Sequence, residues 1–203
     1  CIVAVINELP IDVVNLYHSI FYAVYNNFTI FHNHIDFIAI SNGYICDMIE
    51  KDRAGQSFAP YADIYQQLYF SFYENTLTLY QDQYPLFGDA QVMPLKVIWD
   101  YTYYWSLLAP LYFADKLTDI ALLGRLRPAL EQANALNQGM QALLRDWGQR
   151  NGGQLTPDHR LLDQYSIGWF HQLNTALGAG GDDDALRARL LANVQHMQHL
   201  AAD

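Results

Sequence analysis

Apolar residues recur at spacings of three and four along most of this chain, a pattern typical of one face of an α-helix. The longest such stripe predicts a helix that begins after Gly124 and ends at Gly148 and the run 151–153. A second stripe predicts a C-terminal helix, and its start at 182–184 offers carboxylates that can cap free backbone amides. The two stripes comprise Leu126, Leu130, Ala133, Leu136, Met140, Leu143 and Trp147, and Leu186, Leu190, Leu191, Val194 and Met197.

The segment 61–84 predicts a long helix with apolar residues on two sides, which favours a central position packed by several neighbours. Pro85 and the turn at 87–89 end this helix. Further helices are predicted over 37–51, 95–108 and 161–177, and Pro94 suits the first position of the second of these. Because apolar and polar residues never alternate long enough to indicate a strand, the predicted fold class is all-α, an irregular bundle of about seven helices.

The composition is that of a folded protein and excludes one class of partner. Of the 203 residues, 52% are hydrophobic and 16% are charged, which supplies a core and argues against disorder. With 11 basic and 21 acidic side chains the formal net charge is −10, and such a surface repels phosphates. We therefore expect no nucleic-acid partner. The two cysteines, Cys1 and Cys46, make neither a disulfide framework nor a zinc site.

The most apolar stretch of the chain is 11–31, and polar residues interrupt it at positions 12, 15, 18, 26 and 27. A membrane span needs about 20 mostly apolar residues, so no span is expected here. No basic residue precedes Lys51, which argues against a signal peptide or presequence, and a cytoplasmic location is the expectation. The stretch is interpreted as a helix that is buried or that faces a partner helix.

The run 99–105 carries five aromatic rings in seven residues, enough to surround a helix. Most of these rings are predicted to be core, because aromatic side chains bury large areas, and an aromatic-substrate pocket is the alternative for any one of them. Asp100 lies among the rings and needs a partner if it is buried. Lys96, one turn earlier, is the predicted partner in a structural ion pair, with a general acid or base as the alternative.

Histidines provide the other candidate chemistry, and in both places the structural interpretation is favoured. His32, His34 and Asp36 alternate in the sequence, but alternate residues project together only from a strand, and no fourth ligand is identifiable. No metal site is therefore predicted. His196 and His199 share one face of the C-terminal helix and are predicted to lie at the surface.

The chain lacks the motifs that would identify an enzyme by themselves. Neither GxGxxG nor GxxxxGK[ST] is present, and HExxH, the ExxH pairs of di-iron bundles and GxSxG are missing as well. The glycine-rich run 178–182 follows a predicted helix and is interpreted as a helix end and linker. No catalytic residue is predicted from the motifs.

Several short segments carry a family resemblance. Asp36-Phe37-Ile38-Ala39-Ile40-Ser41-Asn42 resembles the DFIAxxN stretch after the SPG turn of flavin-dependent halogenases in the tryptophan-halogenase superfamily, and of related FAD-dependent oxidoreductases. The runs 86–93, 96–100 and 112–119 resemble the helical C-terminal region of the same proteins. The resemblance covers about 35–149, and the chain departs from it at His32-Asn33-His34, where the family carries the SPG turn.

The resemblance implies a partial flavoenzyme. The family's dinucleotide fingerprint, its WxWxIP motif and its catalytic lysine lie upstream of the matching region, none is present here, and Lys96 does not match that lysine. Residues 1–33 are then a divergent or foreign segment, and 34–203 form a helical domain that covers the flavin and shapes a pocket for an electron-rich aromatic substrate. Such a chain is expected to bind no FAD and to be inactive alone.

The same resemblance implies two sets of site residues. Asp36, Phe37 and Asn42 would lie nearest the FAD, and Trp99, Tyr103 and Trp105 would lie nearest the aromatic small-molecule substrate. A different class of function remains open beside this one. A non-catalytic helical interaction module would use the apolar N-terminal segment as its partner surface.

Overall fold

A computed structural model describes residues 33–152 and 162–202, and within these ranges the chain forms helices and turns without a strand. The all-α prediction is confirmed for this part of the chain. The N-terminal segment, with the stretch 11–31 interpreted as a partner-facing helix, lies outside the described residues. The helices are α1 (Asn33–Arg53), α2 (Ala59–Leu77), α3 (Val92–Ser106), α4 (Leu108–Phe113), α5 (Ile120–Asn151), α6 (Gly168–Thr175) and α7 (Asp183–Ala202).

The chain divides into two compact units, Cys1–Glu74 and Asn75–Asp203, and the division falls within α2. The predicted boundary near residue 33 borders the residues that the structure does not describe, so it stays a prediction. No helix in the described ranges has the length and apolar character to cross a membrane.

Aromatic rings form the described core of the first unit. Phe37 of α1 meets Tyr69 and Tyr73 of α2 edge to face, with ring centroids 5.6 and 5.4 Å apart. Tyr44 stacks on Tyr65 at 4.6 Å. Because aromatic pairs favour these arrangements and bury large areas, the tyrosine-rich side of α2 packs against α1.

The second unit is built around α5, which packs against both α7 and α3. The helix starts at its cap, where the side chain of Asp119 accepts a hydrogen bond from Leu122 N at 2.9 Å, and it runs through Gly124 without a break. It continues past Pro128 and ends at Gly152, whose φ of 63° is the left-handed conformation that favours glycine. Its buried side chains are Leu122, Leu123, Leu126, Ala129, Ala133, Asn137, Gln141 and Leu144.

The segment 61–84 is expected to form one long helix, but the helix that contains its first part, α2, ends at Leu77. Turns follow, and the Thr78 hydroxyl donates to Asn75 O at 2.7 Å while Asp82 takes a positive φ of 59°. These local bonds compete with helix continuation, although the apolar pattern runs on. In the second unit α5, rather than this segment, occupies the centre.

Other helix boundaries also differ from the prediction. α3 begins at Val92, two residues before Pro94, because Asp89 Oδ1 accepts the Gln91 and Val92 amides at 2.9 and 3.0 Å. Helix α6 is shorter than the predicted 161–177, and 3-10 turns at Gln164–Ser166 and Ala176–Gly178 flank it. The predicted start of α7 is confirmed, since Asp182 Oδ1 accepts from Ala185 N at 2.8 Å.

Gly148, predicted to end a helix, lies within α5 for a packing reason. A methyl group built on Gly148 would overlap Leu86 Cδ2, and Leu86 is buried with Val92 and Leu144. Gly139 lies in the same helix, and a methyl group there would meet nothing within 4 Å. Glycine is therefore required at 148 by the close approach of Leu86, whereas position 139 is open.

The two glycines give a matched test of this packing. We expect Gly139→Ala to raise the free energy of unfolding by about 0.5–1 kcal/mol, because alanine lowers the entropy cost of helix formation. We expect Gly148→Ala to lower it by about 1–3 kcal/mol, because Leu86 must shift within a packed cluster. Urea denaturation measures both. Equal gains at the two positions would contradict the close contact.

Candidate functional site

The structure separates the three predicted substrate residues of α3. Trp99 is buried, and its indole Nε1 donates to Asn137 Oδ1 at 3.0 Å. Tyr103 is buried too, and burial raises the pKa of its hydroxyl. Trp105 is half-buried and lines a cavity. In this arrangement Trp105 has a surface to offer a ligand, whereas Trp99 and Tyr103 belong to the core.

Lys96 lies in the interior of the second unit, with a side chain that is 1% exposed. Its ammonium donates to Asp100 Oδ2 and to Leu79 O, each at 2.6 Å, and to Gln141 Oε1 at 3.0 Å. The three donors of an ammonium thus meet three acceptors. The predicted ion pair between Lys96 and Asp100 is confirmed.

The surroundings of this pair extend it into a network of side-chain hydrogen bonds. Gln141 Nε2 donates to Asp100 Oδ1 at 2.8 Å and to Asn137 Oδ1 at 3.2 Å. Asn137 Nδ2 donates to Thr78 Oγ1 at 2.8 Å. Buried polar groups are costly unless paired, and the main members of this network are paired.

Burial acts on both charged members of the network. It lowers the pKa of the Lys96 ammonium and raises the pKa of the Asp100 carboxyl, and the attraction between the two groups opposes both shifts. Because Lys96 is almost fully enclosed, no substrate reaches its ammonium in this conformation. The arrangement supports a structural ion pair rather than a general acid or base.

Sequence reasoning missed Asn137 and Gln141, which are fully buried polar residues of α5. A weak signal was present in their spacing. Positions 133, 137 and 141 follow one another at intervals of four and continue the buried line that Ala133 occupies. An amide within an apolar line is a candidate for a buried hydrogen-bonding group.

A cavity of about 250 Å³ lies in the second unit, between α3, α6 and α7. Two indoles, Trp105 and Trp169, contribute to its walls, and Leu173 and Ala176 add aliphatic surface. Phe170 supports both indoles, with ring centroids 4.8 Å from Trp105 and 5.6 Å from Trp169. The walls are therefore mainly apolar and aromatic, as in many small-molecule sites.

Polar groups of α7 also line this cavity. Arg189 Nη1 donates to Ala176 O at 2.8 Å and to Ala179 O at 3.3 Å. The His196 ring meets Trp169 at 4.7 Å, and its Nε2 is buried without a hydrogen-bond partner among the described residues. His199 is exposed, in agreement with the predicted surface placement, whereas His196 is half-exposed with its Nε2 turned inward.

Burial lowers the pKa of the His196 imidazole, and the nearby charge of His199 lowers it further. The imidazole of His196 is consequently neutral at neutral pH. Arg189 is then the charged side chain on the cavity wall. The cavity presents one guanidinium and one neutral imidazole between two indoles.

The three residues that the resemblance assigns to FAD lie on α1, in the first unit. Phe37 is 2% exposed and packs against tyrosines, Asp36 is half-buried, and Asn42 is exposed. Asn42 is thus the most accessible of the three, and the Phe37 side chain is closed to a cofactor. The assignment of these residues to FAD stays a prediction.

The described residues do not fit the pyrophosphate of FAD in the way that dinucleotide folds do. Such folds place a glycine-rich turn at a helix N-terminus, where free amides attract phosphate. The glycine-rich run 178–182 does lead into α7, but the first turn of that helix carries Asp183 and Asp184, and Asp182 already caps Ala185 N. These carboxylates repel phosphate. Within the described ranges, His, Cys, Asp and Glu side chains form no group of three that could hold a metal ion.

Comparisons with protein-family models, curated proteins and solved structures find no match for this chain. The link to flavin-dependent halogenases therefore rests on the short sequence segments described above.

The buried network can be tested at Asn137. We expect Asn137→Leu to lower the free energy of unfolding by about 2–4 kcal/mol, because Leu has a similar shape but leaves the Trp99 indole and the Gln141 amide without their acceptor. Gln138→Leu, at the exposed neighbouring position, is the control and should change stability by less than about 0.5 kcal/mol. Equal, small effects of both variants in urea denaturation would contradict the network.

The buried face of His196 predicts a pH dependence. Because burial lowers the pKa of His196, the folded protein binds fewer protons than the unfolded chain as the pH falls from about 7.5 to 5, and stability decreases on acidification. We expect His196→Gln to lose less stability than the parent protein over this range. The difference should be under about 1 kcal/mol, because His196 is half-exposed. His171→Gln, at an exposed position, should follow the parent protein. Indistinguishable urea curves for His196→Gln and the parent at both pH values would refute the effect.

Proposed function

We propose that this chain forms the helical substrate-side part of a protein like the flavin-dependent halogenases or related monooxygenases. The FAD-binding part would lie in polypeptide outside these 203 residues. The observation that carries the proposal is the position of Trp105. The resemblance assigns this residue to an aromatic substrate, and its indole lines a cavity with a second indole, Trp169.

The physical properties of the cavity suit this role. Indole rings bind planar aromatic molecules by stacking and edge-to-face contacts, and an apolar wall excludes water from a reacting substrate. In such an assembly the flavin partner would supply the oxidising chemistry. This chain would bind the substrate, orient its ring and exclude water, and no residue of the chain is assigned a bond-making step.

The flavin side of the proposal rests on α1. The exposed Asn42 would contact the cofactor or the polypeptide that holds it, and Phe37 would act through its packing against Tyr69 and Tyr73. Since the described residues fit no pyrophosphate, the purified chain would not retain FAD by itself.

The experiment begins with the DNA immediately upstream of the segment that encodes this chain. We expect it to encode GxGxxG and WxWxIP in an adjacent reading frame or gene. The polypeptide encoded there, joined to this chain, should retain FAD and convert an electron-rich aromatic substrate in the presence of reduced flavin, oxygen and halide. The chain alone should do neither.

Two tryptophan variants of the joined protein test the assignment of Trp105. We expect Trp105→Phe to raise the KM for the aromatic substrate by about tenfold with FAD content unchanged, because a smaller ring leaves part of the cavity unfilled. Trp147→Phe makes the same exchange beside Leu86, Val92 and Leu144, away from the cavity, and should leave KM unchanged. An upstream region without either motif would overturn the proposal and favour the non-catalytic interaction module.

A further inference from the structure

One edge of the Arg189 guanidinium has no partner in the described part of the chain. Nη1 is held by Ala176 O and Ala179 O, but among the described residues Nε finds no hydrogen-bond partner and the group has no carboxylate within ion-pair distance. Nη2 donates to none of the described residues. Since Nε is shielded from water, Nη2 is the donor of this edge that a molecule in the cavity can reach, and a carboxylate binds such a donor through a charge-assisted hydrogen bond.

The position of this guanidinium is fixed before any ligand binds. The two carbonyl contacts through Nη1 hold the group against the turn that follows α6, so its free Nη2 is preorganised. An unpaired cation beside indole walls is costly unless an anion or water compensates it. The site therefore favours an anionic group on whatever enters the cavity.

The size and the walls of the cavity limit the rest of the ligand. At about 250 Å³ it lies below the roughly 300–1,000 Å³ typical of sites for drug-sized molecules. Trp105 and Trp169 provide surfaces for a planar ring system. A molecule of one or two fused rings with a short acidic substituent matches these dimensions.

The charges of the residues that line the cavity disfavour a positively charged group on the ligand. None of the described residues that line the cavity is acidic, so a ligand ammonium would find no counter-ion there. His196 is neutral at neutral pH and adds no charge of either sign. The ammonium of a zwitterionic amino acid would consequently have no carboxylate partner among these residues and would be repelled by Arg189, so a ligand without an ammonium group is favoured.

The geometry points to a small planar aromatic carboxylate without an ammonium group as the ligand of this cavity. The carboxylate binds Nη2 of Arg189, and the ring lies between Trp105 and Trp169. That this ligand is the substrate rests on the proposed function. Binding of the ligand to the cavity does not require flavin.

Three probes with the same ring test the assignment on the full chain without flavin. Isothermal titration would compare indole-3-acetate, tryptamine and L-tryptophan at several salt concentrations. We expect indole-3-acetate to bind at least tenfold more tightly than either of the other two, and its affinity to fall as salt increases. Equal affinities for the three probes, or no binding of indole-3-acetate at millimolar concentration, would overturn the assignment.

Variants of α7 separate the role of Arg189 from general charge. We expect Arg189→Gln to weaken indole-3-acetate binding by tenfold or more, and Arg187→Gln, which removes the same charge from an exposed position of the same helix, to leave it unchanged. Circular dichroism and a thermal melt establish that each variant is folded. Wild-type affinity in a folded Arg189→Gln protein would overturn the assignment.

A second variant keeps the test decisive if Arg189→Gln does not fold, because Arg189 also holds the turn after α6. Ala176→Leu adds side-chain volume to the cavity wall and leaves Arg189 in place, so it should abolish binding of indole-3-acetate. Unchanged binding by this variant would place the probe elsewhere and refute the assignment.

Failure of this inference is distinguishable from failure of the proposed function. If indole-3-acetate binds as expected but the upstream region encodes no flavin motif, the cavity is a carboxylate site and the flavoenzyme proposal falls. If the joined protein retains FAD and acts on aromatic substrates but Arg189→Gln leaves their KM unchanged, the carboxylate assignment falls alone.

Discussion

The arrangement of the second unit depends on an ammonium group that has almost no contact with water. Lys96 is fully buried, and an uncompensated charge in such a place costs several kcal/mol. Its three acceptors come from separate parts of the chain: Leu79 in the turn after α2, Asp100 on α3 and Gln141 on α5. Moving any of these parts away would leave the charge unsatisfied, so the network fixes the register between α3 and α5.

This register also determines the position of the cavity wall. Trp105 lies on the same helix as Lys96, and the direction of its indole follows from how α3 is set against α5. At the end of α3 a second polar contact joins α7, where Asn193 Nδ2 donates to Ser106 O at 3.0 Å. The helix that carries Arg189 and His196 is thereby tied to the helix that carries Trp105. Directional hydrogen bonds, rather than apolar contacts alone, place the groups that line the cavity together.

Local features of the sequence predicted most of the helices and one ion pair of the polar interior. The spacing of Lys96 and Asp100 places them on one helix face, and the aspartates before α7 indicate a helix start. Asn137 and Gln141 escaped prediction, because their spacing from Ala133 is only a weak signal and the residue type alone does not distinguish a buried amide from an exposed one. The cavity escaped for another reason: Trp105 is brought to Arg189 and His196 by tertiary packing, which no local pattern encodes. The early end of α2 likewise depends on turn contacts rather than on hydrophobic spacing.

Pro128 lies within α5, with Gly124 four residues before it. Proline has no amide hydrogen, so the usual backbone bond to the carbonyl of residue 124 is missing at this point of the helix. The first two turns of α5 therefore lack one of the backbone bonds that join them to the remainder, and packing of Leu122, Leu126 and Ala129 also holds them in place. In terms of amide hydrogen exchange, the missing bond lowers the local free energy of opening at this turn, although the helix is continuous in shape.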